Sequence, residues 1–227
     1  AIDSSAGAIS RIENNQVNPT KETILNIAKI LNLNNIEIDY LIGQTALPAT
    51  EREIESAKEE SKEFLITRNR FGYLLDERWK YHLFSKGFIE ILSMEPFEIE
   101  YLLSKTTVQS LVEKESPIPK RLDVEHYDEL LESYLHSYYS WMSHMDDDPT
   151  YKDSVKSIIK NSRSNKIWNK IKSKKFTPEE SRFVHFNVFG KKFALHYSGL
   201  PLAINNRFYL VEYYTENKLT DLLSKYT

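Results

Sequence analysis

The chain has 227 residues, a formal net charge of −3 and no cysteine. Its length suits one large domain or two small ones, and the missing cysteines exclude a disulfide framework, thiol catalysis and cysteine-ligated zinc. No stretch approaches the roughly 20 apolar residues of a membrane span and no secretory signal opens the chain, so a soluble, cytoplasmic protein is expected.

Residues 1–43 read as three short helices. The first runs from about Ser4 to Glu13, with Ile9 and Ile12 on one face and Asn14-Asn15 placed to end it. The second starts near the N-cap Thr20, with Glu22 in the first turn, where the helix dipole favours an acid. Its buried stripe is Ile24, Ile27, Ala28 and Leu31. The third covers about Ile36 to Ile42 and stops at Gly43. Residues 44–50 (QTALPAT) read as a linker. Beyond them, Glu51 to Leu65 reads as a charged helix with Ile54, Ala57, Phe64 and Leu65 as its sparse apolar face. Phe71, Leu74, Leu75, Trp79 and Leu83 form a helical stripe ending at Lys86-Gly87. Pro96 opens a helix to Leu103, and Pro117 and Pro119 break the chain. Asp123 to Met142 is amphipathic, with Leu130, Leu131, Tyr134, Leu135, Tyr138 and Trp141 on its apolar face.

From Lys152 to Lys175 the only acid is Asp153, and this basic stretch reads as one further helix. After Pro178 the period switches. Phe183–Phe189 and Lys192–Tyr197 read as a hairpin turning at Gly190-Lys191, and Arg207–Tyr214 as a third strand. Glu216 to Tyr226, carrying Leu219, Leu222 and Leu223, reads as a last helix. The expected fold class is α+β, mostly α with a small antiparallel sheet near the C-terminus. Residues 51–175 would form a helical dimerisation and partner-binding region, and 176–227 the sheet and final helix.

The run Ser5–Asn14 (SAGAISRIEN), followed by Asn18-Pro19-Thr20 and Ile24–Leu31 (ILNIAKIL), resembles the phage-repressor-like (Cro/C1, or XRE) helix-turn-helix family. Spacing, caps and apolar positions agree together over about residues 1–43. The departures are Asn15, where the family usually has glycine, and Ala6-Gly7. The resemblance implies that the helix from Ser4 to Glu13 is the recognition helix. It also implies that the first two helices of the family domain are missing from the sequence as given. Ser5, Ala6, Gly7 and Arg11 would then face the bases, with Arg11 placed to pair bidentately with a guanine. Ala6 and Gly7 offer close approach or contact with a thymine methyl, which leaves part of the readout to DNA shape. Asn14, Gln16, Asn18 and Lys21 would meet phosphates, which set register rather than sequence. The alternative for Arg11 is a surface ion pair with Glu13 or a neighbouring acid.

Little else carries chemistry. None of the six histidines falls in a zinc-protease motif, and core or surface roles suit them better than a metal site. Ser198-Gly199 lacks the context of a serine–lysine autoprotease, and no glycine-rich phosphate loop occurs. No enzyme, cofactor or metal is therefore expected. Glu98–Leu103, Thr106–Glu115 and Pro117-Ile118-Pro119 faintly echo the first motif, as a degenerate second helix-turn-helix or an ordinary helical subdomain. Tyr134, Tyr138, Tyr139 and Trp141 are candidates for a partner-binding surface, part core and part interface. The basic stretch is a solvated face, or a contact for DNA flanks or an acidic partner.

The function expected from the resemblance is a transcriptional repressor of a mobile element, a phage or a phage-satellite pathogenicity island. It would bind double-stranded operator DNA as a homodimer and be relieved by an antirepressor protein acting on the C-terminal region. The alternative is a small-molecule- or peptide-sensing regulator of the same family, which a closed, largely apolar pocket would favour.

Overall fold

The computed structural model describes residues 6–14, 16–33, 37–38, 41, 47–66, 70–173 and 183–214. The chain divides into two compact units, 1–48 and 49–227. It is α+β: helices dominate, and one antiparallel sheet of five strands completes the second unit. Among the described residues, no helix is long and apolar enough to cross a membrane.

In the first unit, α1 spans Ala6–Glu13 and α2 spans Lys21–Ile30. The Asn14 amide donates to Ser10 O at 2.7 Å and closes α1. Thr20 caps α2 by accepting from the Thr23 N–H at 3.2 Å. Ile9, Ile12, Ile24 and Ile27 are half-buried, and Ala28 alone among the described residues of this unit is fully buried. Leu31, expected on the buried stripe, is exposed, because α2 ends at Ile30 and Leu31 turns away as its C-cap. The third expected helix, about 36–42, lies largely outside the described residues, as does the expected helix 216–226.

The second unit opens with α3 (Glu51–Ile66). Thr50 and Glu53 form a reciprocal cap: the Thr50 N–H donates to Glu53 Oε2 at 2.8 Å, and the Glu53 N–H donates to Thr50 Oγ1 at 3.3 Å. The next segment corrects the sequence reading. Phe71 to Leu83 is a hairpin, not a helix, with strands β1 (Phe71–Asp76) and β2 (Tyr81–Phe84). All six residues of β1 are buried, so the strand lacks the polar–apolar alternation that marks a half-exposed one. Asp76 Oδ1 accepts from the N–H groups of Arg78 and Lys80, at 2.9 and 3.0 Å, and this shapes the turn. Trp79, read as part of the stripe, sits in that turn with a φ of 62°. Lys86-Gly87 begins a helix rather than ending one: α4 (Lys86–Ile91) is capped by Ser85, whose Oγ accepts from the Phe88 N–H.

Helices α5 (Pro96–Leu103) and α6 (Thr107–Val112) both start with capping boxes. A 3-10 turn at Val124–His126 leads into α7 (Tyr127–Met142). The basic stretch forms two helices instead of one, α8 (Pro149–Lys160) and α9 (Ser162–Ser173). Asn161 breaks it: the residue is extended, and its Oδ1 accepts from the N–H groups of Arg163 and Ser164.

The C-terminal strands are β3 (Phe183–Val188), β4 (Lys191–Pro201) and β5 (Phe208–Tyr214). The tight turn between β3 and β4 has positive φ at Phe189 and Gly190, 51° and 79°, the geometry that matches hairpin twist. Strand order is β2-β1-β5-β4-β3. The sheet therefore joins chain segments more than a hundred residues apart and is not confined to the C-terminus. One face of β1 packs on α3, where Ala57 and Leu65 meet Leu74 and Phe208. The other carries Phe71 and Tyr73 against Phe88 of α4, with ring centroids 5.0 and 5.5 Å apart.

Candidate nucleic-acid interface

The outward face of α1 carries Gly7, Ser10, Arg11 and Asn14, all exposed, at the i, i+3, i+4, i+7 spacing of one helical face. Ile9 and Ile12 lie on the inner side. Ser5 lies outside the described residues, and Ala6 is the first residue of α1. The Arg11 side chain runs back toward the helix start, its Nε donating to Gly7 O at 3.3 Å. Among the described residues it makes no ion pair, with Glu13 or any other acid. Its guanidinium is thus left to solvent with donors to spare. Gln16 and Asn18 are exposed in the connection, where the Gln16 N–H donates to Arg11 O at 2.8 Å. Lys21 is exposed at the first position of α2. The structure thus brings Gly7, Arg11 and Asn14 onto one face, and sets Gln16, Asn18 and Lys21 along the following turn.

Of the four aromatic residues considered as a partner surface, Tyr138 is buried and Tyr134, Tyr139 and Trp141 are half-buried, each against another ring of the chain. Tyr134 and Tyr138 stand edge-on to Trp79, at 5.3 and 5.4 Å between ring centroids. Tyr139 packs on Trp168 at 5.4 Å. Trp141 packs on Tyr209, and its Nε1 donates to Glu77 O at 3.0 Å. Their neighbours explain this inward placement: Trp79 and Tyr209 lie on the hairpin turn and on β5, which the helix reading of the sequence did not bring together. The region echoing a second helix-turn-helix is also turned inward. Thr107, Val108, Ser110, Leu111 and Val112 of α6 are buried, so that helix has no face to offer a groove.

Two clusters were not visible in the sequence. Between the sheet and helices α4, α6 and α7 lies a small void of about 30 Å³, lined by Tyr73, Tyr81, Tyr134, Tyr213, Phe88 and Phe186 among others. Tyr73 OH lies 3.0 Å from Tyr213 OH and 3.3 Å from Tyr134 OH, and Tyr81 OH lies 3.0 Å from Ser110 Oγ. Burial pushes all four phenols up, so they remain neutral hydrogen-bonding groups. The void has room for about one water.

The second is a chain of buried ions. Arg78 pairs with Glu77 and, at 2.7 Å, with Asp148; Arg207 pairs with Glu77 at 2.5 Å and with Glu53 at 3.0 Å. Burial raises Glu77 above the ordinary carboxylate range, against the pull of Arg207. Glu53 is held below that range, first by the Thr50 N–H and also by Arg207.

Asp123, Glu125 and His126 place one ligand atom each within 4.8 Å of one another. Lys192 Nζ bridges Asp123 and Glu125, at 3.1 Å from each, so an ammonium already supplies the positive charge there.

Comparison of the chain with known protein families and with curated proteins finds none that matches.

Proposed function

We propose that this chain belongs to a sequence-specific DNA-binding transcriptional repressor that acts as a homodimer on double-stranded operator DNA. The observation that supports this reading is the outward face of α1, where Arg11 makes no ion pair among the described residues and stands among small or polar neighbours. An arginine so placed reads guanine O6 and N7 bidentately, worth about 1–3 kcal/mol of discrimination against a wrong base. Gly7 beside it allows the helix to approach the groove floor closely. Asn14, Gln16, Asn18 and Lys21 meet phosphates and fix the register. Two such half-sites linked by dimerisation bind far more tightly than one. Regulation of a mobile element, with relief by an antirepressor protein, belongs to the same reading. Tyr138 is buried, while Tyr134, Tyr139 and Trp141 are half-buried and keep exposed edges that such a partner would meet.

The test is selection of bound duplexes from a random pool with the full-length protein. Enrichment of a single inverted repeat is expected. Retention of all sequences alike would refute sequence-specific binding.

A further inference from the structure

An open cleft of 960 Å³ lies between helices α5 and α6 on one side and the α8–α9 junction on the other. Six basic side chains line it, Lys105, Lys114, Lys120, Lys156, Lys160 and Arg163, against two carboxylates, Glu113 and Glu115. The chain as a whole carries −3, so this positive excess is not inherited from composition.

The two walls are tied together by half-buried polar contacts: Ser157 donates to Glu113 Oε1 at 2.7 Å and the Asn161 amide donates to Val112 O at 2.8 Å. Within one wall, Tyr101 OH donates to Glu113 Oε2 at 2.5 Å. Lys105 pairs with Glu113 at 2.8 Å. Lys156 and Arg163 pair outward with Asp153 and Asp128. Lys114, Lys120 and Lys160 are exposed and make no ion pair among the described residues. Three lysines thus border one preformed concavity with no direct ion pair among the described residues, although Lys120 lies near enough to Glu98 to help hold that carboxyl below its usual range. The floor between them is apolar, with Leu111, Val112, Pro119 and the ring of Tyr127, over which the Arg163 guanidinium lies at 4.9 Å.

We propose that this cleft is a binding site for a small phosphorylated ligand that carries a ring, a nucleotide by chemical class. Lys114, Lys120 and Lys160 meet the phosphates, and Tyr127 with Val112 and Pro119 receives the ring. Lysine ammoniums bind phosphate as point charges and need no fixed fork geometry. The volume is that of a small-molecule pocket, roughly 300–1,000 Å³, not of an extended groove. A nucleic-acid backbone would instead follow an outward basic stripe, and here that stripe is partly neutralised: Lys152 pairs with Asp147, Lys156 with Asp153, and Lys170 with Glu132. The site stands whether or not the chain reads DNA.

The test is isothermal titration calorimetry of the full chain with ATP, inorganic triphosphate and a deca-glutamate peptide. ATP is expected to bind one to one, more tightly than triphosphate, and to weaken with added salt. The triple variant Lys114→Ala/Lys120→Ala/Lys160→Ala should lower ATP affinity about tenfold or more. Its melting temperature should be unchanged, since all three side chains are exposed. Lys86→Ala, outside the cleft, should bind as the parent does. The proposal fails if ATP gives no saturable heat, if the triple variant binds as the parent does, or if deca-glutamate binds and ATP does not. Equal affinity for ATP and triphosphate would remove the ring from the assignment.

Discussion

At Gly72 a β-carbon would lie 2.1 Å from the carbonyl oxygen of Val211 on the neighbouring strand β5. Backbone cannot move aside as a flexible side chain does, so only glycine fits. Gly72→Ala is expected to destabilise the second unit by about 1–3 kcal/mol through overpacking, read as a lower denaturant midpoint; an unchanged midpoint would show that the strands separate without cost. His185 makes a different kind of prediction. Its ring stacks on His126 with centroids 3.8 Å apart. Burial first, then the neighbouring His126, holds its pKa below the ordinary 6.5. The fold therefore favours the neutral ring. Its contribution is fully present above the unfolded pKa and is lost as pH falls from there through the lowered folded value. Thermal stability should drop as pH falls below about 6.5, and His185→Gln should flatten that drop. An equal drop in the variant would assign the effect to other groups. Arg11 was legible at this scale because its helix is short and its neighbours fix its face. The tyrosine hydroxyls were not, because Tyr73, Tyr134 and Tyr213 meet only through tertiary structure.

Elements announced themselves in the sequence where local chemistry controls them. Thr20 and Pro96 each mark a helix start, and the apolar spacing of Tyr127–Met142 survives as α7. The hairpin β1–β2 was hidden for a physical reason. A strand covered on both faces has no period of two, and Phe71, Leu74 and Leu75 happen to fall at helical spacing. Its turn is set by one side chain, Asp76, which also accepts from His82 Nε2 at 2.9 Å. The break between α8 and α9 was hidden as well, because Asn161 acts through caps rather than through a proline or glycine. Asn161→Ala removes two N-terminal cap bonds and the amide link to Val112. A loss of about 1–2 kcal/mol is expected, measurable by chemical denaturation. A variant as stable as the parent would mean that the two helices are held apart by packing alone.

Across the whole molecule, the α+β class was readable from composition and period, but the strand order was not. Pairing of β1 with β5 joins Phe71–Asp76 to Phe208–Tyr213, and nothing local in either segment names the other. The same closure creates the tyrosine-lined void and the ion-pair chain Glu53–Arg207–Glu77–Arg78–Asp148. Removing Arg207 takes one of two arginines from Glu77 and the ion pair from the partly exposed Glu53, so Arg207→Met should cost about 1–3 kcal/mol, read as a fall in melting temperature of the second unit; a shift near zero would mean that Arg78 alone compensates Glu77. The first unit is different in kind. Its described residues bury one side chain fully and present a polar face, an arrangement suited to a reading surface. We propose that this face reads DNA through Arg11. The most direct measurement compares the parent and Arg11→Ala on single-base variants of a duplex selected by the full-length protein. The parent is expected to discriminate about 10- to 100-fold at one guanine per half-site, and the variant to lose that discrimination while keeping its residual, salt-sensitive affinity. Undiminished discrimination in the variant would refute the role of Arg11.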